Sequence, residues 1–219
     1  MNAHSAAGSR CRSRTLPARH GPGRTYPPVS PAEYGVPMSQ DHPFHFLSAA
    51  FSYPRFGDSL PSAVTALAAL ATDLDLNAPP ASALAPPSLT DLEAEYVRLF
   101  DNAPGGVPAP PWASVYLGGS NVLMQEGHDQ ALAFYRQAGI EPAGASEYAD
   151  HLVQELAFVG ILLDEKRPAL LGRFLADHLL RWYPLFHQRL QEADPCPFYR
   201  LLGQVTHLCL HHTEKEVTS

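Results

Sequence analysis

The segment "SEYADHLVQELAFVGILLDEK", residues 146–166, carries the clearest structural signal in this 219-residue chain. Its apolar residues recur at helical spacing, acidic residues crowd its start, and Lys166, Arg167 and Pro168 follow at its end. Ser146 is a residue type that caps the N-termini of helices. The sequence therefore predicts one long helix over 146–166 that is capped by Ser146.

Helical periodicity continues on both sides of this segment. Apolar residues recur at i, i+3 and i+7 from Phe44, and they do so again after Pro61, which suits a first helical turn. The sequence contains no alternating strand pattern, no Asn-Gly or Asp-Gly hairpin turn and no repeat of fixed period. Further helices are predicted over 90–100, 128–139, 169–180, 184–193 and 197–213. The predicted fold class is all-α, a single globular bundle of irregular helices.

Local signals set several of the predicted boundaries. Thr90 and Glu93 match a capping box, in which the threonine accepts a hydrogen bond from the backbone N–H of the glutamate. Pro184 and Pro195 are predicted breaks between helices, because proline removes a helical hydrogen bond. The segment "APPASALAPPS", residues 78–88, is predicted to be a linker or a long loop.

Residues 1–37 differ in composition from the rest of the chain. They contain six prolines and few large aliphatic residues, and five arginines against one acid give them a net charge of +4. Such a segment cannot bury enough apolar surface to offset the entropy of ordering. We therefore expect a disordered, basic, Pro/Arg-rich tail before an all-helical domain at 38–219. A mis-assigned start codon, with Met38 as the true start, and a functional basic tail are both open interpretations.

The bulk properties exclude several functional classes. The whole chain carries a net charge of −7, so the part after residue 37 carries −11 and would repel nucleic-acid phosphates. No apolar run reaches the roughly 18 residues that cross a bilayer, and no secretory signal is recognisable. Three cysteines without a CxxC pair indicate a reducing compartment. We expect a cytoplasmic protein that binds no nucleic acid and is not embedded in a membrane.

Two clusters of side chains offer chemistry. Glu147, Asp150 and His151 fall at i, i+3 and i+4 of the predicted helix, so they can share one side. Three interpretations stay open for them: compensation of the helix dipole, a general acid/base pair, and an anionic docking point for an arginine. His207 and His211 share one face of the last helix, but zinc needs three or four convergent ligands, and no metal is expected.

The segment "EYVRLFDNAPGGVPAPPWASVY", residues 95–116, ends a helix and then holds four prolines, two glycines and a tryptophan. Long loops that are tied to a rigid scaffold often bind other molecules. Tyr96, Leu99 and Phe100 are predicted to face the core. The stretch "PPWASVY" either wraps the domain in an extended conformation or forms the wall of a binding site.

Taken together, these segments resemble the TorD/DmsD/NarJ family, which are cytoplasmic chaperones for molybdenum-containing oxidoreductases. The resemblance covers roughly residues 42–213. Two short motifs carry it, an aromatic-x-x-Leu-Phe element and a Glu-Pro-x-Asp-His element. The matching residues are Tyr96, Leu99 and Phe100 for the first, and Glu147, Asp150 and His151 for the second. Tyr148 stands where the second motif usually has proline.

The resemblance implies an all-helical fold, no catalysis and no cofactor of the chaperone's own. It implies binding of the apo catalytic subunit of a molybdopterin-containing oxidoreductase, commonly through its twin-arginine signal peptide, with assistance of cofactor insertion before export or assembly. Such a signal offers two guanidinium groups and an apolar run, so its receptor needs carboxylates beside an apolar groove. The expected client-binding residues are Tyr96, Leu99, Phe100, Pro111, Trp112, Ser114, Tyr116, Glu147, Asp150 and His151.

His151 is expected to adjust the charge of this site near neutral pH. An alternative from a different functional class is a small helical enzyme that uses Asp150 and His151 as an acid/base pair, or His207 and His211 as metal ligands. A third interpretation is a helical adaptor that assembles with another subunit without recognising a signal. The identity of the client, the choice between signal peptide and mature subunit, and a homodimeric state stay open.

Overall fold

The computed structural model describes residues 24–26, 42–86, 88–117, 126–142 and 149–218. These residues form a helical bundle, and the predicted all-α class is confirmed. The α-helices are α1 Phe44–Ala50, α2 Leu60–Asp73, α3 Ala81–Leu84, α4 Leu89–Tyr96, α5 Ala113–Leu117, α6 Glu126–Ala138, α7 Leu152–Asp164, α8 Pro168–Phe174, α9 Leu180–Glu192 and α10 Pro197–Thr218. A 3₁₀ turn lies at Gly57–Ser59, and wider π turns lie at Val97–Asp101 and Leu175–Leu179. Among the described residues, none of the helices combines the length and the apolar character that crossing a membrane requires.

α7 is the central helix of the bundle, because apolar residues occupy almost every position along it. Leu152, Leu156 and Leu162 are completely buried. α1 lies antiparallel against this helix, and the hydroxyl of Ser48 donates a hydrogen bond to the carbonyl of Val153 at 2.7 Å. Burying each large aliphatic side chain contributes about 1.5–3 kcal/mol, so the contact between α1 and α7 is a major source of stability.

α7 begins later than the sequence predicts. His151 is its N-cap residue, since its backbone is extended and its ring Nδ1 accepts a hydrogen bond from the Val153 N–H at 3.2 Å. Asp150 and His151 therefore precede the helix and do not share a face of its first turn, which corrects the prediction. The predicted cap, Ser146, and the third acidic-cluster member, Glu147, lie outside the described residues.

The start of α4 also differs from the prediction. The N-cap is Ser88, whose hydroxyl accepts a hydrogen bond from the backbone N–H of Asp91 at 3.1 Å. Thr90 lies inside the helix, so the predicted capping box is displaced by two residues. The helical path then continues through Phe100 as predicted, by way of the π turn. The predicted loop at 78–88 contains the short helix α3.

Pro184 does not end a helix, contrary to the prediction. α8, the π turn at Leu175–Leu179 and α9 follow one another directly, and Pro184 lies inside α9. Trp182 and Phe186 on either side of the proline are completely buried. Their burial outweighs the roughly 3 kcal/mol that a proline costs within a helix, and the widened turn before it already interrupts the regular hydrogen-bond pattern.

Two strands of three residues, β1 Arg24–Tyr26 and β2 Ile140–Pro142, pair in parallel. Gly139 ends α6 with φ +74°, a left-handed conformation that glycine adopts without strain, and leads into β2. Strands this short leave no alternating pattern, so the sequence did not predict them. The pairing involves three residues of the basic N-terminal segment, and the rest of 1–37 lies outside the described residues.

Candidate functional site

The end of the Pro-rich loop lies antiparallel to the residues that precede α7. Two backbone hydrogen bonds of 2.9 Å join the segments. They run from the N–H of Ala113 to the carbonyl of Asp150, and from the N–H of Leu152 to the carbonyl of Pro111. Trp112 and His151 face each other between them. We call residues 111–114 and 150–152 the loop pair, and it fixes both segments against the bundle.

The Pro-rich loop is also closed at its base. The backbone N–H of Ala109 donates a hydrogen bond to the carbonyl of Leu99 at 3.0 Å. Gly105 and Gly106, at the tip, have φ values of +90° and +107°, which favour glycine. The loop therefore leaves and re-enters the bundle at fixed points, and Trp112 is held by the loop pair directly after it.

The carboxylate of Asp150 belongs to the interior of this arrangement. Asp150 is 1% exposed, and its Oδ2 accepts a hydrogen bond from the backbone N–H of Ser114 at 2.9 Å, which caps the first turn of α5. Its Oδ1 lies 3.5 Å from Nδ1 of His128, which is also buried. Both oxygens point inward, so an arginine of a bound peptide would not reach this carboxylate without a rearrangement of the loop pair.

The His151 ring is held between α7 and Trp112. Its centroid lies 5.0 Å from the Trp112 ring in an edge-to-face arrangement. Burial lowers the pKa of His151 to about 4, although the neighbouring Asp150 raises it. The imidazole is therefore neutral at pH 7, which argues against the predicted adjustment of charge near neutral pH. The ring serves as a helix cap and as an aromatic surface.

A depression of about 280 Å³ opens to solvent above the loop pair. We call it the aromatic depression. Its lining residues are Ser52, Tyr53, Tyr96, Trp112, His151, Val153 and Gln154. Tyr53 is 40% exposed, and its ring meets the Tyr96 ring edge-on with centroids 5.4 Å apart. The depression thus combines apolar ring surface with a few polar groups, as binding sites commonly do.

The residues of the aromatic-x-x-Leu-Phe motif divide between this depression and the core. Leu99 and Phe100 are buried, as predicted, and the Phe100 ring supports the Tyr96 ring at a centroid distance of 5.2 Å. Tyr96 is partly exposed and faces the depression. Burial, assisted by Asp101, raises the pKa of Tyr96 to about 12, so its hydroxyl stays protonated and available as a donor.

The other predicted residues that the structure describes do not line the depression. Pro111 and Ser114 are buried within the loop pair. Tyr116 packs elsewhere, because its ring stacks on Trp182 at 5.6 Å and carries the Arg189 guanidinium 5.1 Å from its centroid. Glu147 lies outside the described residues. The binding of a client by any of the ten residues stays a prediction.

Four lining residues were not predicted from the sequence: Ser52, Tyr53, Val153 and Gln154. The first two follow α1, and the other two belong to the first turn of α7. A detectable signal existed for Tyr53, since an aromatic residue next to Pro54 directly after an apolar helix is an unusual loop residue. No local signal marked Val153 or Gln154.

A second polar network lies inside the bundle behind the loop pair. Oε1 of Glu155 lies 2.7 Å from Nε2 of His178, and Oε2 accepts a hydrogen bond from the Trp182 indole at 3.0 Å. All three residues are completely buried. Burial lowers the pKa of His178, but the Glu155 carboxylate raises it more, so it lies above its ordinary value. Because no substrate can reach this pair, it joins α7 to the segment 175–192 as a structural element.

The histidines near the C-terminus form stacked rings. The centroids of His207 and His211 are 4.5 Å apart, and His187 lies 4.9 Å from His207. Burial, with His207 contributing, lowers the pKa of His187 to about 4. Among the described residues, no third ligand atom converges with those of His207 and His211. These histidines therefore form an aromatic surface of α9 and α10.

Comparison with known proteins gives concordant matches. The family model described as nitrate reductase delta subunit matches residues 58–188. The Tat proofreading chaperone DmsD of Salmonella typhi is 31% identical over 139 residues, which cover 63% of this chain and 68% of that protein. The chaperone protein TorD of Shewanella pealeana is 30% identical over 128 residues, which cover 55% of this chain and 58% of that protein.

A solved structure shares the fold. The crystal structure of a redox enzyme maturation protein from Archaeoglobus fulgidus aligns with a TM-score of 0.51 and 24% identity. The alignment covers 80% of this chain and 93% of that protein. At this identity the match supports the helical architecture described above.

Proposed function

Since the chain belongs to the nitrate reductase delta subunit family, whose members include TorD and DmsD chaperones, we propose that it is a chaperone for a molybdopterin-containing oxidoreductase. In this proposal it binds the apo catalytic subunit in the cytoplasm, through the N-terminal twin-arginine signal peptide, and retains it until the cofactor is inserted. The name Tat proofreading chaperone, carried by the Salmonella relative, supports the signal peptide as the bound element. The molybdopterin cofactor belongs to the client.

The observation that carries this proposal is the aromatic depression beside the loop pair. An extended apolar peptide needs ring surface to cover it and polar groups to orient its backbone, and Tyr53, Trp112 and Gln154 offer both. Part of the Trp112 indole lines the depression, where an apolar side chain of the peptide can pack against it. Because the loop pair fixes Trp112 in advance, binding loses little conformational entropy.

Charge favours a cationic client. The part of the chain after residue 37 carries −11, which accelerates the capture of a peptide with two arginines. Since the Asp150 carboxylate is engaged with Ser114, we assign the direct contact with the arginines to Glu147. This residue precedes the loop pair in sequence by three positions.

The test is a titration of the full chain with a fluorescent twin-arginine signal peptide from a molybdoenzyme encoded nearby. We expect Trp112→Ala to weaken binding by tenfold or more, about 1.4 kcal/mol, because a central aromatic anchor is lost. Leu185→Ala is the matched control, since Leu185 is 47% exposed on α9 and does not line the depression. Replacement of both peptide arginines by alanine should weaken binding to the wild-type chain. The same replacement should weaken binding to the Glu147→Gln variant by a smaller factor.

Two results would contradict the proposal at different levels. If Trp112→Ala and Tyr53→Ala fold normally and bind the peptide like the wild type, the depression is not the site. If the chain forms no complex with the apo subunit on co-expression, the chaperone function itself is wrong.

A further inference from the structure

A cluster of two histidines and one carboxylate lies at the far end of the α1–α7 contact from the aromatic depression. Nε2 of His42 lies 2.9 Å from Oδ1 of Asp164, and Nε2 of His45 lies 2.9 Å from Oδ2 of the same residue. The ligand atoms of the three side chains all lie within 4.8 Å of one another, the only such group among the described residues. We propose that His42, His45 and Asp164 bind one divalent transition-metal ion.

The geometry suits such an ion. Metal–ligand bonds to imidazole nitrogen and carboxylate oxygen are about 2.0–2.2 Å long, so atoms 2.9 Å apart can contact the same ion. Two imidazoles with one carboxylate are a ligand set for zinc, iron, nickel or copper and are poorly suited to calcium or magnesium, which prefer oxygen. Three protein ligands leave at least one position for water or a further group.

The accessibility of the three side chains provides an entry path. The side chain of Asp164 is 48% exposed, that of His45 is 25% exposed, and that of His42 is 8% exposed. An ion can therefore arrive from solvent beside Asp164 and be covered on its inner side by His42. Without an ion, both Nε2 atoms face the carboxylate, and a bound ion would take the place of the hydrogen-bonded protons between them.

Gly160 gives independent support, because it shapes α7 to hold the His45 ring. A Cβ atom at this position would lie 2.7 Å from Cε1 and 2.9 Å from Nδ1 of His45. Glycine within a helix costs about 1 kcal/mol relative to alanine, and it is buried here. The missing side chain lets the imidazole lie against the helix backbone one turn before Asp164, with its Nε2 directed at the carboxylate.

The electrostatic setting also favours a cation. Asp164 is the last residue of α7, where the carbonyl ends of the helix concentrate negative charge.

This site is separate from the aromatic depression and from the pair His207 and His211 that the sequence analysis considered as metal ligands. His207 and His211 belong to one helix, whereas the carboxylate of the proposed site lies 122 residues after His42 and 119 after His45. A bound ion would hold the start of α1 against the end of α7. The opposite ends of the same two helices carry Tyr53 and Val153 of the aromatic depression.

The test is calorimetric titration of the full, untagged chain with ZnCl₂ at pH 7.5 after treatment with EDTA. We expect one site with a Kd of about 1 μM or tighter in the wild type. Asp164→Asn and His45→Ala should each weaken this binding at least tenfold, because each removes a ligand. Gly160→Ala should weaken it by about tenfold while all three ligands remain, because the new methyl group displaces the His45 ring.

Matched controls distinguish this site from the other histidines of the chain. His211→Ala and a His4→Ala/His20→Ala double variant should bind zinc like the wild type. Zinc should raise the Tm of the wild type but not that of Asp164→Asn, whose circular dichroism in EDTA should match the wild type. Unchanged zinc affinity in Asp164→Asn and His45→Ala, or loss of the site in either control, would overturn the proposal.

Discussion

Asp150 and Asp164 stand at opposite ends of α7, and both face histidines, but their surroundings differ. Asp150 is 1% exposed, and its carboxylate caps α5 and approaches His128. The side chain of Asp164 is 48% exposed and faces two imidazoles at the surface. The motif drew attention to Asp150 as the docking group, yet burial makes it a structural residue and leaves Asp164 accessible. A motif therefore identifies a position, whereas exposure decides what a carboxylate at that position can bind.

The largest effect is expected from a carboxylate that is more enclosed than either aspartate. Glu155→Ala should reduce the free energy of unfolding by about 3–5 kcal/mol, because His178 and Trp182 both lose their buried partner. Urea denaturation followed by circular dichroism measures this change. Glu192→Ala, at an exposed position of α9, is the control and should change stability by under about 0.5 kcal/mol. Similar losses in both variants would show that the burial of a carboxylate does not determine how much it contributes to stability.

The next effect is the contribution of His151 to the free energy of unfolding, which depends on pH. Because the pKa of His151 is about 4 in the folded chain and about 6.5 when unfolded, its contribution is complete above pH 6.5. Below that value the unfolded chain takes up a proton that the folded chain does not, so stability falls towards pH 4. The expected loss is about 1–3 kcal/mol, since the ring is partly buried.

The comparison with His151→Asn isolates this contribution, because asparagine can also cap α7 but does not titrate. The difference in unfolding free energy between wild type and variant should shrink from pH 7 to pH 4.5. His178, whose pKa is raised, contributes with the opposite sign in both proteins and cancels. A difference that is constant with pH would show that His151 is accessible to protons in the folded chain.

The Asp150→Ala variant tests whether Asp150 is a structural residue. It should reduce the free energy of unfolding by about 1–3 kcal/mol, because the backbone N–H of Ser114 is left buried without a partner. Thermal denaturation and peptide titration should be measured on the same preparation. Unchanged stability together with lost peptide affinity would instead show that this carboxylate contacts the client.

The smallest effect is expected at the other end of α7. In EDTA, Asp164→Asn should change the free energy of unfolding by under about 1 kcal/mol, because partly exposed ion pairs contribute little. Urea denaturation of both proteins without metal measures it. A loss as large as that of Asp150→Ala would show that Asp164 is a structural residue and would remove the contrast between the two ends.

Much of the fold was predictable from local periodicity, and the errors share one cause. α6, α7 and α10 were found because their apolar residues repeat over several turns and tertiary contacts reinforce the pattern. The start of α7 was misplaced because hydrogen bonds to the loop after Leu99 hold His151 extended. The continuation of α9 through Pro184 likewise depends on buried neighbours, which a local rule for proline does not include.

The candidate site was predictable only where its residues lie in recognisable stretches. Tyr96, Trp112 and His151 were named from the sequence, and the structure brings all three to one depression. Tyr53 and Gln154 come from helices that are distant in sequence and meet only through the packing of α1 on α7. The same holds for Asp164 and its histidines, because no spacing rule connects residues that are about 120 positions apart.

The hydrogen bond from Ala109 to Leu99 has a consequence for engineering and for natural variation. It closes the Pro-rich loop below its tip, so residues 103–108 can change in number without moving Trp112. Lengthening a closed flexible loop costs only about 0.6 kcal/mol for each doubling. A fluorophore or a short graft inserted between Gly105 and Gly106, where no atoms crowd either glycine, would then leave the aromatic depression unchanged.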